Sequence, residues 1–190
     1  SFEYFSEDNK IITNCGYGRK ISKKTQLISK FTSAQSTLCL NDTSVVKFQK
    51  NNLINKNYGS TIVNSFKIFD INREESKTDV SIAATHNAYL DKFGYLHKRS
   101  IKVFKKNNNI IGTDSLIKKN NASSNTNYSI RFHIYPGINA VQTVSGKSIL
   151  LQISKNKSWI FLSEDQDLQI EKGLFLGRNK VLNNHCIVIY

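Results

Sequence analysis

Apolar and polar residues alternate along much of this chain with the period of two that belongs to half-buried strands. Ser100-Ile101-Lys102-Val103-Phe104-Lys105 steps in this way. Asn64 to Ile71 puts Phe66 and Ile68 on one face, with Ile71 close to it. Ser158 to Leu162 and Asp167 to Glu171 repeat the pattern. Polar clusters separate the runs. Lys105 to Asn109, between two apolar stretches, predicts a hairpin, and Ser145-Gly146-Lys147, between Val141–Val144 and Ile149–Leu151, predicts a second. The lone proline stands in Tyr135-Pro136-Gly137, a turn at a strand end. Amphipathic helical periodicity never runs beyond about ten residues. Many short strands at spacings of roughly 8–12 residues predict an all-β fold, an antiparallel sandwich or barrel. Lys47 to Gly59 and Lys118 to Asn127 read as polar loops. Neither an internal repeat nor a domain boundary is visible, so residues 1–190 read as one domain. The predicted core includes Phe66, Ile68, Ile101, Val103, Phe132, Leu150, Trp159, Phe161, Ile170 and Val188.

Composition narrows the classes. With 190 residues, 39% hydrophobic and 11% aromatic, the chain has the length and apolar content for a core, which excludes disorder as the whole answer. No apolar run approaches the roughly 18 residues of a membrane helix, so a membrane is not among the expected partners. The chain begins Ser-Phe-Glu and contains no Met, which reads as a processed protein or an excised piece. The net charge is +13, which favours polyanions: nucleic acid, acidic polysaccharide or an anionic surface. Only five of the 27 basic residues are Arg, the residue best suited to bidentate contacts with phosphates and bases, and this argues against nucleic acid. Abundant Lys beside 22 Asn is also what an AT-rich genome writes on any surface.

Few residues advertise chemistry. There is no phosphate loop, no dinucleotide-binding glycine motif, no paired-histidine zinc motif and no nucleophile elbow. Cys15, Cys39 and Cys186 are odd in number and far apart, which argues against a disulfide framework or a zinc ribbon; Cys39 and Cys186 sit in apolar runs and read as small buried hydrophobes. His86 and His97 are eleven residues apart, with Tyr89, Tyr95 and Arg99 between or beside them. On paired strands these side chains converge, a set suited to proton transfer and carboxylate binding or, more plainly, to half-buried packing with local hydrogen bonds. Arg131, His133 and Tyr135 share one strand face, which suits a carbohydrate platform or an ordinary solvated face. His185 receives no role.

Four runs in a fixed order carry a resemblance. They are Ile12 to Gly16; Ser33-Ala34-Gln35-Ser36-Thr37-Leu38-Cys39-Leu40-Asn41-Asp42; Ala84 to Tyr89 with Phe93 to Arg99; and Ile130 to Gly137. Together they resemble the C-terminal β-sheet domain of the heparinase II/III-like polysaccharide lyases, across nearly the whole chain. The resemblance implies a large antiparallel β-sandwich of the two-layer supersandwich type, following a catalytic α/α-toroid domain upstream. It implies an acidic, uronate-containing glycan cleaved by β-elimination, and a periplasmic or cell-envelope location, with the cytoplasm as the alternative. The family's motif histidine falls here on Gln35, which takes up no proton at neutral pH but can donate a hydrogen bond to a carboxylate. Some members hold a structural zinc in this domain. His86 matches a ligand position, but Thr37 stands where a second histidine is expected, so no metal site is predicted. The residues implied for the cleft are Gln35, His86, Tyr95, His97 and Arg99, with Arg131, His133 and Tyr135 as substrate contacts. The implied partners are an acidic polysaccharide and the chain's own N-terminal helical domain. A non-catalytic carbohydrate-binding or domain-packing module is the alternative reading, and a basic nucleic-acid-binding domain the second.

Overall fold

The computed structural model describes residues 1–18, 20–49, 61–119, 125–164 and 166–190. The polar stretches read as loops fall largely on 50–60 and 120–124 and lie outside the described residues. The chain divides into two units, one formed by Ser1–Val46 with Asn127–Tyr190 and the other by Lys47–Thr126. Both are built from antiparallel sheets, as the period-two patterning requires.

The first unit is a sandwich. Its larger sheet has the order β1 (Tyr4–Ser6), β2 (Asn9–Thr13), β8 (Tyr128–Ile134), β13 (Val181–Ile189) and β12 (Leu168–Leu176), and β3 (Leu38–Leu40) continues along the β8 edge beyond β2. The smaller sheet has the order β11 (Lys157–Leu162), β10 (Ser148–Ser154), β9 (Asn139–Gln142). Ile11, Ile12, Ile134, Ile149, Leu151, Leu168 and Ile187 form the core between them, and Phe132, Trp159, Phe161 and Ile170 pack against it. Val188 is also buried. Leu150 is a correction. Within Ile149-Leu150-Leu151 strand alternation sends Ile149 and Leu151 inward and Leu150 out, where it stands between Val141 and Ile160 in register.

The outer face of the larger sheet is covered too. After β2 the chain crosses the end of β12, where Gly16 bridges to Leu176. It then forms the short helix α1 (Lys23–Ile28) and a tight 3₁₀ turn (Thr32–Ala34) before entering β3. Ser22 caps α1 through its hydroxyl and Thr25 caps back, so even this six-residue helix has its first donors satisfied. Cys15, Ala34 and Leu176 form a second small core beneath this segment. All three cysteines are buried and form no disulfide, and burial pushes the thiols of Cys15 and Cys186 up to about 11 and about 12, which keeps them protonated and inert.

The second unit is a meander of β4 (Ile68–Glu75), β5 (Asp79–His86), β6 (Tyr95–Phe104) and β7 (Asn109–Lys118), with the one-turn helix α2 (Leu90–Phe93) between β5 and β6. The predicted hairpin at Lys105–Asn109 joins β6 to β7 in unbroken register from Phe104↔Asn109 to Tyr95↔Lys118. Ile101 and Val103 are half-buried in it. Phe66 and Ile68 were expected in the core and are exposed, at 36% and 59%. They lead into and open the edge strand β4, which among the described residues has a neighbour on one side only.

Candidate functional site

The third run, Ala84 to Arg99, builds a buried polar chain in the second unit. The register sets His86 on β5 directly opposite His97 on β6, and Arg99 opposite Asp114 on β7. Hydrogen bonds link all four. His86 Nε2 lies 2.9 Å from His97 Nδ1, and His97 Nε2 lies 2.6 Å from Asp114 Oδ1. Arg99 grips the same carboxylate with two prongs, Nε to Oδ1 and a terminal nitrogen to Oδ2, each at 2.8 Å. The Ala88 backbone N–H donates to His86 Nδ1 at 3.2 Å, and this fixes every proton. His86 is then a neutral imidazole protonated at Nε2, which donates to His97 Nδ1. His97 must also carry its proton on Nε2, which it donates to Asp114.

The electrostatics follow from burial. The His97 and Asp114 side chains are only 3% and 6% exposed. Burial pushes the Asp114 carboxyl up, but the hydrogen bonds from His97 and Arg99 and the Arg99 charge outweigh it and hold the group below the usual carboxylate range. Burial lowers His86 to about 4, helped by the neighbouring His97 and Arg99. A weak base whose free nitrogen already accepts a backbone N–H is ill suited to proton abstraction at neutral pH. The chain instead pins the β5–β6 connection. Tyr89, buried in that connection, has its ring 5.7 Å from His86 and 6.1 Å from Phe93, and Phe66 packs 5.8 Å from His86. Tyr95 follows the same strand face as His97 and Arg99 and is half-buried.

The other three runs meet in the first unit. Ser36, fully buried, is the knot. Its N–H donates to Asn14 Oδ1 at 2.9 Å, its hydroxyl donates to the Thr13 carbonyl at 2.5 Å, and it accepts the His133 N–H at 2.9 Å. His133 is buried beneath the 3₁₀ turn, its Nε2 donating to the Ser33 carbonyl at 3.0 Å, while its Nδ1 has no hydrogen-bond partner among the described residues. Burial lowers its proton affinity. Arg131 bonds to Ser129 Oγ and reaches Asp42, which stands with Asn41 in a tight left-handed turn after β3. Tyr135 stays at the surface, edge-on to Phe175 at 5.5 Å. Arg131, His133 and Tyr135 thus share a face as predicted, but the chain from Cys15 to Ser36 interrupts the stripe at His133. Gln35 follows the turn, half-buried, and donates one amide hydrogen to the Ser29 carbonyl at 2.6 Å.

A family model described as heparinase II/III-like, C-terminal, matches residues 1–189. The chain belongs to this family. No curated protein and no solved structure matches it. The four runs that carried the resemblance are the parts of this heparinase II/III-like domain that hold the buried polar bonds just described. The resemblance made His86 a candidate zinc ligand. Both nitrogens of His86 are engaged, and no three His, Cys, Asp or Glu side chains gather for a metal among the described residues. Asp114 is the one member of the polar chain that sequence reading missed. The signal was present: folding the hairpin about Lys105–Asn108 sets Arg99 opposite Asp114, a charge pair across a strand.

Proposed function

We propose that this domain lines the cleft of a polysaccharide lyase, beside a catalytic helical toroid domain, and contacts an acidic, uronate-containing glycan cleaved by β-elimination. The observation that carries this is the family match across 1–189, joined to a charge of +13. β-Elimination needs the uronate carboxylate neutralised so that the adjacent C–H becomes acidic, an electrostatic task for a hydrogen-bond donor. Gln35 suits it. Its second amide hydrogen has no partner among the described residues. His86, His97 and Arg99 serve in this reading as support within the second unit, because their facing groups are bonded to one another and to Asp114, with Tyr95 beside them on the same strand face. Proton transfer then falls to the helical domain, and the chain alone is inactive.

Gln35 in place of the family's histidine favours a second reading, a carbohydrate-binding or domain-packing module without a catalytic part. One comparison separates them. The chain joined to its helical domain is given uronate polymers, and the ultraviolet absorbance of the unsaturated product is followed. On the first reading turnover appears and Gln35→Ala lowers it about tenfold or more with folding intact. Equal turnover in the variant removes Gln35 from the site. Binding without turnover favours the second reading.

A further inference from the structure

The other face of the second unit's sheet holds a groove that the His86 chain leaves unused. Phe69 pairs with Thr85, and Leu96 adjoins His97, so alternation turns both away from the two histidines. With Asn87 and Leu90 of the β5–β6 connection and Lys119 just past β7, they line a groove of about 640 Å³. The groove is wide open to solvent, and its walls combine apolar surface with two polar side chains.

Both polar side chains are donors. Asn87 accepts the Lys67 N–H on Oδ1 at 2.7 Å, which orients the amide and leaves its NH₂ without a hydrogen bond among the described residues. The Lys119 backbone is tied to the Gly94 carbonyl at 2.9 Å, while its side chain is exposed. Lys67, Lys98 and Lys118 stand at the same end of the sheet, Lys98 on the groove face and Lys118, opposite Tyr95, on the other. Like Lys119, they make no ion pair among the described residues. Asp70 and Asp91 are the acids nearby. At the far end Glu75 pairs with Arg73 and Lys105, and Asp79 with Lys102, while Lys77 and Lys106 make no ion pair among the described residues. Ammonium groups are thus in surplus at both ends; at this one Lys119 lines the groove and Lys98 shares the face of Leu96. An aromatic wall, two donors and a positive rim complement a ring that has one apolar face and one anionic substituent.

We propose that this groove binds one carboxylated or sulfated sugar unit, with its ring against Phe69 and its anionic group on Lys119 and the Asn87 amide. The proposal rests on the acidic-glycan reading but adds a contact at residues other than Gln35. The test titrates the whole 190-residue chain with size-defined uronate oligosaccharides, with and without sulfate, and with inorganic sulfate. Calorimetry gives affinity, and amide NMR shifts give the place. Expected are shifts at 67–70, 87–96 and 119, and affinity reduced about five- to tenfold by Lys119→Ala. Lys119→Glu reduces it further, and Phe69→Leu reduces it as well. Lys106→Ala, at the far end, changes it less than about twofold. Equal losses for Lys119→Ala and Lys106→Ala, or shifts confined to the first unit, overturn the groove and leave the acidic-glycan reading standing. Inorganic sulfate binding as tightly as the sugars overturns the sugar assignment. No binding by any oligosaccharide overturns both.

Discussion

A β-carbon built on Gly16 would stand 2.4 Å from the Leu176 carbonyl oxygen, and the residue holds φ at +77°, where side chains are strained. The contact is crowded because that carbonyl accepts both the Tyr17 and Gly18 N–H groups, while Leu176 N–H donates back to Cys15. These bonds hold the crossing segment over the outer face of the larger sheet, and that segment carries the cover of His133. Gly16→Ala must break them or push Leu176 aside. We expect it to cost about 2–4 kcal/mol, read as a lower urea midpoint at unchanged slope. Gly112 is the internal comparison. It lies on β7 with nothing within 4 Å of a built β-carbon, so Gly112→Ala should stay within about 1 kcal/mol of the parent or stabilise it. Equal losses for the two would show that the approach to Leu176 is not what fixes Gly16.

The strands themselves were legible. Alternation located β6, β11 and β12, and the polar clusters at Lys105–Asn109 and Ser145–Lys147 located two hairpins, because period and turn chemistry are local properties. Which face of a strand is buried is not local. Leu150 lies in an apolar run on both sides, and only the packing of the two sheets sends it outward. The meeting of His86, His97 and Arg99 was legible as a condition, that their strands pair; the cover of His133 by a turn a hundred residues away was not. The pairing of β5, β6 and β7 carries its own pH signature. Folded His86 sits near 4 against an ordinary 6.5, so between those values the unfolded chain binds more protons. Its contribution to stability is complete above about 6.5 and is lost as pH falls toward 4. His133, lowered too, acts in the same direction, and Asp114, held low, loses its contribution only below the ordinary carboxylate range. The urea midpoint should therefore fall steadily on acidification from neutrality. His86→Gln keeps a donor for His97 Nδ1 but cannot titrate, so its midpoint should fall less steeply by up to one proton. An unchanged slope would mean that His86 is protonated alike in both states.

At the scale of the whole molecule the charge of +13 is the property most visible to a partner, and its meaning turns on how the partner's own charges are spaced. Duplex DNA carries one charge per about 1.7 Å and a condensed counterion layer, so a protein that covers its phosphates loses affinity steeply as salt rises. A uronate polymer spaces its carboxylates more widely and releases fewer counterions per contact. It also offers sugar rings, whose contacts with aromatic and amide groups survive screening. The five arginines give little purchase on base edges, which leaves DNA only the screened term. Both polymers should therefore bind at low salt. Between about 50 and 200 mM salt DNA affinity should drop the faster, so that the preference for uronate widens as the solution approaches physiological strength. Fluorescence anisotropy with labelled polymers of matched charge, titrated with NaCl, measures both slopes. Parallel slopes with no preference at any salt would mean that the lysines act as a diffuse cloud, and the acidic-glycan reading would lose its electrostatic support.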